Sequence, residues 1–146
     1  MRVEDAEQVS HVTNLAFFDS VAPGLSEEGI NTFLKISAPQ SIALRMQGDN
    51  IIYVYENNGV IEGVVELKEG RHVAMLFVMP SAQGQGIGRA LIKEALNHAR
   101  EMTVTVSASI PSVPAYIRYG FKVVDTEKNL NGLRYVPMVY QFKPHV

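Results

Sequence analysis

The stretch SAQGQGIGRALIKEAL, residues 81–96, places a glycine at every second position directly before a helical pattern. The three glycines are Gly84, Gly86 and Gly88. Glycine lacks a Cβ atom, so it adopts positive φ angles and lets other groups approach the backbone, but it costs conformational entropy on folding. Three glycines at this point of the chain therefore indicate a loop in which a function, such as the close approach of a ligand, requires glycine despite its entropic cost.

Three phosphate-binding patterns can be tested against this loop. A P-loop requires Lys followed by Ser or Thr after its last glycine, and that pair is missing here. The dinucleotide pattern G-x-G-x-x-G fails because Arg89 or Leu91 stands at its third glycine. The pattern Q-x-x-G-x-G is matched by Gln83, Gly86 and Gly88. Such a loop exposes backbone N–H groups at the positive end of a helix dipole, which favours a pyrophosphate.

The apolar spacing along the chain predicts an α+β fold of alternating helices and strands. Helices are predicted over 4–19, after an N-cap at Ser26, after Pro39, over 87–100 and over 113–118. Strands are predicted over 51–55, 60–67, 72–79, 103–107, 121–125 and 135–142. Tight turns at Asn58-Gly59 and Glu69-Gly70 join the first three strands, and the third is apolar on both faces, as in a buried central strand. We therefore expect a mixed, mostly antiparallel sheet with helices on both faces.

Composition limits the classes of protein to which the chain can belong. Its 146 residues predict one globular domain over 1–146 with a single sizeable core. Thirteen basic against fifteen acidic residues give a net charge of −2 without blocks of like charge, so no nucleic-acid partner is expected. The apolar runs are shorter than the about 20 residues that cross a bilayer, so no membrane partner is expected. The lack of cysteine and of a signal sequence predicts a cytoplasmic location.

Two segments of the chain resemble one protein family. FVMPSAQGQGIGRALIKEAL, residues 77–96, is similar to the acetyl-coenzyme A motif of the GNAT N-acetyltransferase superfamily, with Gln83, Gly86 and Gly88 at its defining positions. The resemblance implies the GNAT-like fold over nearly the whole chain and acetyl-coenzyme A as the co-substrate. The family usually begins with a strand, which we expect to be short or absent here because little chain precedes the first helical pattern.

The second segment is SIPSVPAYIRYGFK, residues 109–122. It resembles the family's N-x-x-A-x-x-[FL]-Y-x-x-x-G-F segment, with Tyr116 and the pair Gly120-Phe121 at the tyrosine and glycine-aromatic positions. Ser109 stands where many family members carry Asn, and we expect its hydroxyl to supply a hydrogen bond to the pantetheine. Tyr116 is implied to donate a proton to the departing thiolate, although a tyrosine in a protein is more often simply packed.

The resemblance implies which residues bind the co-substrate. They are the strand end Leu76, Phe77 and Val78, the loop residues Gln83, Gly84, Gln85, Gly86, Ile87, Gly88 and Arg89, and the later residues Ser109 and Tyr116. Arg89 either reaches a phosphate or is an ordinary surface arginine. Transfer to a primary amine by direct attack passes through a tetrahedral intermediate, so the site needs a polarised carbonyl, a deprotonated amine and a proton donor.

Two side chains are candidates for the base that deprotonates the amine. Glu66 lies near the end of one predicted strand, and His72 begins the next. Each has an ordinary alternative, a solvated turn for Glu66 and a strand end for His72, and an amine that arrives neutral needs no base. His11, His98 and the terminal His145 form no metal-ligand spacing with acidic residues, so no metal is expected.

The acceptor side is less well marked in the sequence. Phe17, Phe18 and Phe33 either line it or belong to the core, and the polar segment 129–135 either walls it or is only a hairpin loop. Without a strong acidic or basic patch, the expected acceptor is the amine of a small molecule. The alternatives are a protein lysine or N-terminus, or a non-catalytic acyl-coenzyme A sensor. A homodimer through the edge around 136–140 is a further expectation.

Overall fold

Seven strands and five α-helices build the chain, in a computed structural model that describes residues 1–143. The helices are α1 (Ala6–Ala16), α2 (Glu27–Ile36), α3 (Pro39–Arg45), α4 (Ile87–Asn97) and α5 (Val113–Arg118). The strands are β1 (Asn50–Asn57), β2 (Val60–Lys68), β3 (His72–Val78), β4 (Thr103–Ser109), β5 (Lys122–Val123), β6 (Lys128–Leu130) and β7 (Leu133–Gln141). The α+β class is confirmed, and His145 lies outside the described residues.

The first helix is shorter than predicted. A 3₁₀ turn over Val3–Asp5 precedes α1, and a π-helical turn over Phe17–Val21 follows it. Within residues 1–143 no strand precedes β1, as expected. The predicted N-cap of α2 is confirmed, because the Ser26 Oγ accepts a hydrogen bond of 3.3 Å from the Gly29 N–H.

The sheet has the order β1-β2-β3-β4-β7-β5, with β6 paired to β7. All pairs are antiparallel except β3 with β4, so the predicted mixed, mostly antiparallel sheet is confirmed. Helices cover both faces. Val64 and Val65 are adjacent on β2, yet Val64 packs with α1 and α3 while Val65 packs with α4. This is the alternation of a strand buried on both sides.

The strand that is buried on both faces is β2, and the prediction that it is β3 was wrong. Residues 63–67 of β2 are all buried, whereas in β3 only Val73 and Met75 are. Ala74 is exposed, and the apolar residues after Met75 are half-buried. The reason is that the second half of β3 borders a gap in the sheet.

This gap opens where β3 and β4 separate. Their pairing covers only His72 with Thr105 and Val73 with Val106 among the described residues, although both strands continue. Ala74 is an extra residue in β3, since Leu67 pairs with Val73 while Glu66 already pairs with Met75. A β-bulge of this kind bends a strand and increases its twist. The bulge therefore turns β3 away from β4.

The polar segment near the C-terminus is a hairpin and not an irregular loop. β6 and β7 are joined by Asn131-Gly132, while the predicted strand 121–125 shrinks to the two residues of β5. The hairpin lies against α2, where the Thr32 hydroxyl donates to the Asn131 carbonyl at 2.6 Å. The backbones of Gly29 and Gly132 approach so closely that a Cβ on either would overlap the other. The hairpin is thereby fixed to α2.

Candidate active site

The gap between β3 and β4 contains two cavities. The first has a volume of about 500 Å³ and is bordered by the end of β3, the glycine loop (residues 83–88), the start of α4 and α5. It is lined by predicted co-substrate residues, namely Leu76, Phe77, Val78, Gln83, Gly84, Gly86, Ile87, Gly88, Arg89 and Tyr116. Ten of the twelve predicted binding residues therefore meet in one place.

The backbone of β3 presents polar groups to this cavity. The Met79 N–H donates to the Glu62 carbonyl at 2.8 Å, so Met79 faces β2. Because backbone groups alternate in an antiparallel ladder, the N–H and C=O groups of Leu76 and Val78 point the other way, into the gap. The Val78 carbonyl is met there by the Gln83 side chain, which donates to it at 3.2 Å. Leu76 and Val78 thus offer N–H donors that β4 does not use.

The glycine loop ends in a left-handed residue. Gly86 is the N-cap of α4 with φ of +83°, and nothing lies within 4 Å of where its Cβ would be. Glycine is thus favoured at position 86 because of its positive φ angle. The space beside Gly86 is open to the first cavity. The first-turn N–H groups of α4 have no partner within the helix, and they point toward this space.

The charge in the first cavity is positive. Arg89 and Arg118 line it, and none of its lining residues is acidic among those described. The Arg89 guanidinium lies 5.5 Å from the Tyr119 ring centroid and donates to the Arg118 carbonyl at 3.4 Å. Two cations beside a helix N-terminus form an environment that attracts phosphate groups.

Tyr116 lines both cavities. Its ring is 5% exposed and packs edge-on against Tyr119 and Phe121, with centroids at 6.0 and 5.3 Å. Its hydroxyl makes no hydrogen bond to any group of residues 1–143 and is not sealed inside the core. Burial is the main reason why the pKa of Tyr116 lies far above its ordinary value, with Tyr119 a smaller cause. The phenol therefore keeps its proton at any physiological pH.

The second cavity has a volume of about 230 Å³ and adjoins the first around Leu76, Phe77 and Tyr116. Its walls are mostly apolar and include Phe17, Val21, Leu25, Phe33, Ile36, Val73, Met75, Val106, Leu130 and Leu133. The segment 129–135 is a hairpin, and four of its residues, Leu130, Leu133, Arg134 and Tyr135, also line this cavity. Phe17 and Phe33 line it as well, whereas Phe18 is exposed.

Glu66 lies in the interior, away from both cavities. Its side chain is 0% exposed and accepts hydrogen bonds from the Arg45 Nε at 2.9 Å and the Asn50 Nδ2 at 2.6 Å. Neither cavity is lined by Glu66. A carboxylate with two donors and no access to the gap has no path to an amine, so this geometry argues against the predicted base.

His72 lies at the wrong end of its strand to act as a base. It begins β3, about 20 Å from Val78 at a rise of about 3.3 Å per residue. Its Nδ1 lies 2.7 Å from the Thr105 Oγ1, and it lines neither cavity. Burial first, and then the positive charges of Lys68 and Arg71, lower its pKa, while Glu69 opposes them. His72 is therefore a neutral, half-buried part of the β3–β4 pairing.

Two predicted co-substrate residues lie outside the first cavity. The Ser109 hydroxyl borders the second cavity and lies 2.5 Å from the Ser112 hydroxyl, because the end of β4 turns its side chain toward the start of α5. Gln85 is exposed at the surface of the glycine loop and does not line the cavity. The binding roles of Ser109 and Gln85 stay predictions.

The sequence analysis missed Arg118, Tyr119 and Ser112. Arg118 and Tyr119 line the first cavity, and Ser112 lines both. Arg118 is the last residue of the short helix α5 and Tyr119 is its C-cap, so the helix that positions Tyr116 also brings them to the gap. Residues 1–143 bring no three His, Asp or Glu side chains together as metal ligands, and the lack of a metal stays a prediction.

The sequence matches a known family model. Residues 21–142 match the model of the acetyltransferase (GNAT) domain. Among curated proteins, the peptidyl-lysine N-acetyltransferase YiaC of Escherichia coli is 35% identical over 74 residues, which are 50% of this chain and 51% of that protein. The match thus spans about half the length of this curated relative.

Solved structures share the fold over nearly the full length. A GCN5-related N-acetyltransferase from Rhodopseudomonas palustris superposes with a TM-score of 0.84 at 24% identity, covering 97% of this chain and 92% of that one. The PaiA N-acetyltransferase from Thermoplasma acidophilum, in complex with coenzyme A, superposes with a TM-score of 0.81 at 20% identity, covering 97% and 96%. At these identities the likeness establishes the GNAT-like fold. No helix within 1–143 is long and apolar enough to cross a membrane.

Replacing Glu66 tests whether its carboxylate is structural. We expect Glu66→Gln to lower the free energy of unfolding by on the order of 2 kcal/mol. The loss is smaller than for a fully buried ion pair from which one partner is removed, because Arg45 is partly exposed. The kcat of the folded fraction should stay within about twofold. Urea unfolding and steady-state kinetics measure the two quantities, with Glu62→Gln on the same strand as the matched control. A fall in kcat without a loss of stability would restore Glu66 as the base.

The lowered pKa of His72 predicts a pH-dependent stability. The folded state favours neutral His72, while the unfolded chain takes up a proton below about pH 6.5. The free energy of unfolding should therefore fall as the pH drops through 6.5 toward the lower folded-state pKa. In urea unfolding at pH 7.5 and 5.0, His72→Gln should lose less stability between the two pH values than the wild type. His11→Gln is the control for removing an imidazole elsewhere. If His72→Gln and the wild type lose the same free energy of unfolding between the two pH values, the lowered pKa of His72 is contradicted.

Proposed function

The chain belongs to the GNAT acetyltransferase family, and we propose that it transfers the acetyl group of acetyl-coenzyme A to a primary amine of a small molecule. The observation that carries this proposal is that Tyr116, with its proton retained and its hydroxyl without a partner among residues 1–143, lines both cavities. The first cavity is the proposed co-substrate site and the second the proposed acceptor site.

The residues of the first cavity fit acetyl-coenzyme A. The pyrophosphate would be held by the glycine loop and the free N–H groups at the start of α4, with Arg89 and Arg118 supplying positive charge. The pantetheine would lie along β3, where the Leu76 carbonyl is free to accept a hydrogen bond from one of its amides. A cavity of about 500 Å³ that opens along the surface has room for an elongated ligand.

The chain's own groups account for two of the three requirements of the reaction. Acetyl-coenzyme A, when bound, supplies an acetyl thioester. The N–H groups of Leu76 and Val78 point into the gap and are free to donate to a carbonyl oxygen, which withdraws electron density from its carbon. As the amine nitrogen bonds that carbon and loses a proton to water, the carbon–sulfur bond breaks and Tyr116 gives its hydroxyl proton to the sulfur. Solvent then restores the proton of Tyr116.

The third requirement, a deprotonated amine, is met without a base in this proposal. No His, Asp or Glu of residues 1–143 lines either cavity. The second cavity is apolar, and an apolar environment disfavours the charged form of an ammonium ion. We infer that the amine reacts as the neutral fraction that enters this cavity.

A second candidate acceptor is the lysine side chain of a protein. It is favoured by the name of the relative YiaC, a peptidyl-lysine N-acetyltransferase. A non-catalytic acyl-coenzyme A sensor has no observation in its favour. The single domain over 1–146, the cytoplasmic location, the homodimer and the lack of nucleic-acid and membrane partners stay predictions.

The role of the glycine loop is tested by comparing two glycines. Gly86 and Gly59 have similar φ angles, +83° and +79°, and both have open space around them, but Gly59 lies in the β1–β2 turn. Valine at either position strains the backbone by about 1–2 kcal/mol. Calorimetry with acetyl-coenzyme A should show at least tenfold weaker binding for Gly86→Val and unchanged binding for Gly59→Val. Equal affinities in both variants would remove the loop from the binding site.

The proton donor is tested by Tyr116→Phe, which keeps the ring and removes the hydroxyl. We expect kcat to fall by about 10²-fold or more, with the affinity for acetyl-coenzyme A within about twofold of the wild type. Thiol release measures kcat, and calorimetry measures the affinity. Tyr55→Phe is the control, since Tyr55 is exposed on β1 and lines neither cavity. Unchanged turnover in Tyr116→Phe would show that another group protonates the sulfur.

A further inference from the structure

We propose that the acceptor is a monoamine whose one amino group is carried on an apolar, ring-sized body, and that the second cavity selects against any further positive charge. This inference rests on the proposed acetyl transfer and narrows its substrate class. It is argued from the walls, charge, size and attachment of the second cavity.

Aromatic rings form one wall of the cavity. Phe17 and Phe33 stack in parallel, with centroids 3.9 Å apart at 5°, and Phe77 meets Phe33 edge-on at 5.5 Å. All three line the cavity. Rings that are packed against each other in this way cannot turn to accommodate polar groups, and apolar surface next to them is removed from water with a gain of about 25 cal/mol per Å². The wall therefore suits an apolar or aromatic body.

The charge of the cavity opposes a second ammonium group. Among the residues described, Arg134 is the one charged side chain that lines it. Its Nε and a terminal nitrogen contact the Glu127 carboxylate at 2.9 and 3.1 Å, and its other terminal nitrogen donates to the Gly24 carbonyl at 3.1 Å. Glu127 does not line the cavity, so it offers no carboxylate to a ligand. A polyamine or an aminoglycoside would bring further positive charges close to Arg134, and the lining offers them the hydroxyls of residues such as Ser107 and Tyr135 but no carboxylate, which makes their burial costly.

The volume of the second cavity favours a ligand with a ring over a ligand with a linear chain. Its volume of about 230 Å³ corresponds to roughly eight atoms the size of a water molecule at ≈ 30 Å³ each. A lysine side chain, with four methylenes and one nitrogen, would leave part of this space empty. A phenyl ring on a short amine fills it. Empty apolar space forfeits dispersion contacts, so the fuller ligand is preferred.

The wall formed by the β6–β7 hairpin is held in place. The hairpin is joined to α2 by the Gly29–Gly132 backbone approach and the Thr32 hydrogen bond, and to the segment before α2 by Arg134 and the Gly24 carbonyl. Leu130 and Leu133 lie on this wall. A wall with three attachments keeps the cavity at its present width, and a rigid cavity discriminates by size.

A panel of amines tests the inference. Thiol release and mass spectrometry of the products are measured with phenethylamine, spermidine, kanamycin and a lysine-containing peptide. We expect phenethylamine to be acetylated with a kcat/KM at least tenfold above that of each other amine. Preference for spermidine, kanamycin or the peptide would overturn the inference and leave the proposed acetyl transfer standing. If acetyl-coenzyme A binds but none of the amines is acetylated, the proposed function itself fails.

A charged substitution at the cavity provides the second readout. Ile36 and Leu34 lie on α2 with nearly equal exposure, 37% and 38%, but only Ile36 lines the cavity. Ile36→Glu supplies the missing carboxylate, so the kcat/KM ratio of phenethylamine to spermidine should fall at least tenfold. Leu34→Glu, with the same change of charge on the same helix, should leave the ratio unchanged. Equal ratios in the two variants would place the acceptor outside this cavity.

Discussion

The site depends on the incomplete pairing of β3 with β4. A continuous sheet satisfies the backbone groups of its central strands, and here the extra residue Ala74 interrupts that pattern after two residue pairs. The separation leaves the N–H groups of Leu76 and Val78 without a neighbouring strand and creates the space that holds both cavities. The same interruption explains why β3, although central and apolar, is only half-buried at its end. A ligand in this gap replaces the missing strand partner.

The two cavities meet at Tyr116 but differ in chemistry. The first has glycine backbone, helix N–H groups and two arginines, which suit a ligand rich in phosphates. The second has phenylalanine rings and aliphatic side chains, which suit an uncharged body. Burial opposes ionisation of Tyr116, which lies between them, so its hydroxyl stays protonated and can donate a hydrogen bond. Tyr116 therefore borders the place where a ligand of each cavity would meet the other.

The sequence predicted the parts of this site that rest on local chemistry. The glycine loop, the Ser26 cap and the hairpin turns follow from residue types at fixed spacings, whereas the role of Tyr116 and most of the residues that line the first cavity follow from the family resemblance. The differences concern side-chain surroundings. The surroundings of Glu66 and His72 depend on the β3 bulge and on partners far away in sequence, namely Arg45 and Thr105, whereas Ser109 is held by its near neighbour Ser112. Neither a bulge of one residue nor a long-range partner leaves a periodic signal.

The carboxylate that sequence reasoning offers as a base stabilises the surroundings of the second cavity instead. Glu66 holds the Arg45 guanidinium, whose other nitrogens reach the Ile36 carbonyl at 2.8 Å and the Met75 sulfur at 3.7 Å. Ile36 and Met75 both line the second cavity. The buried ion pair thus ties the end of α2 to β3 behind the cavity, while the hairpin is tied to α2 in front of it. A charge that stabilises the walls from outside leaves the interior apolar, and an apolar interior favours the neutral form of an amine.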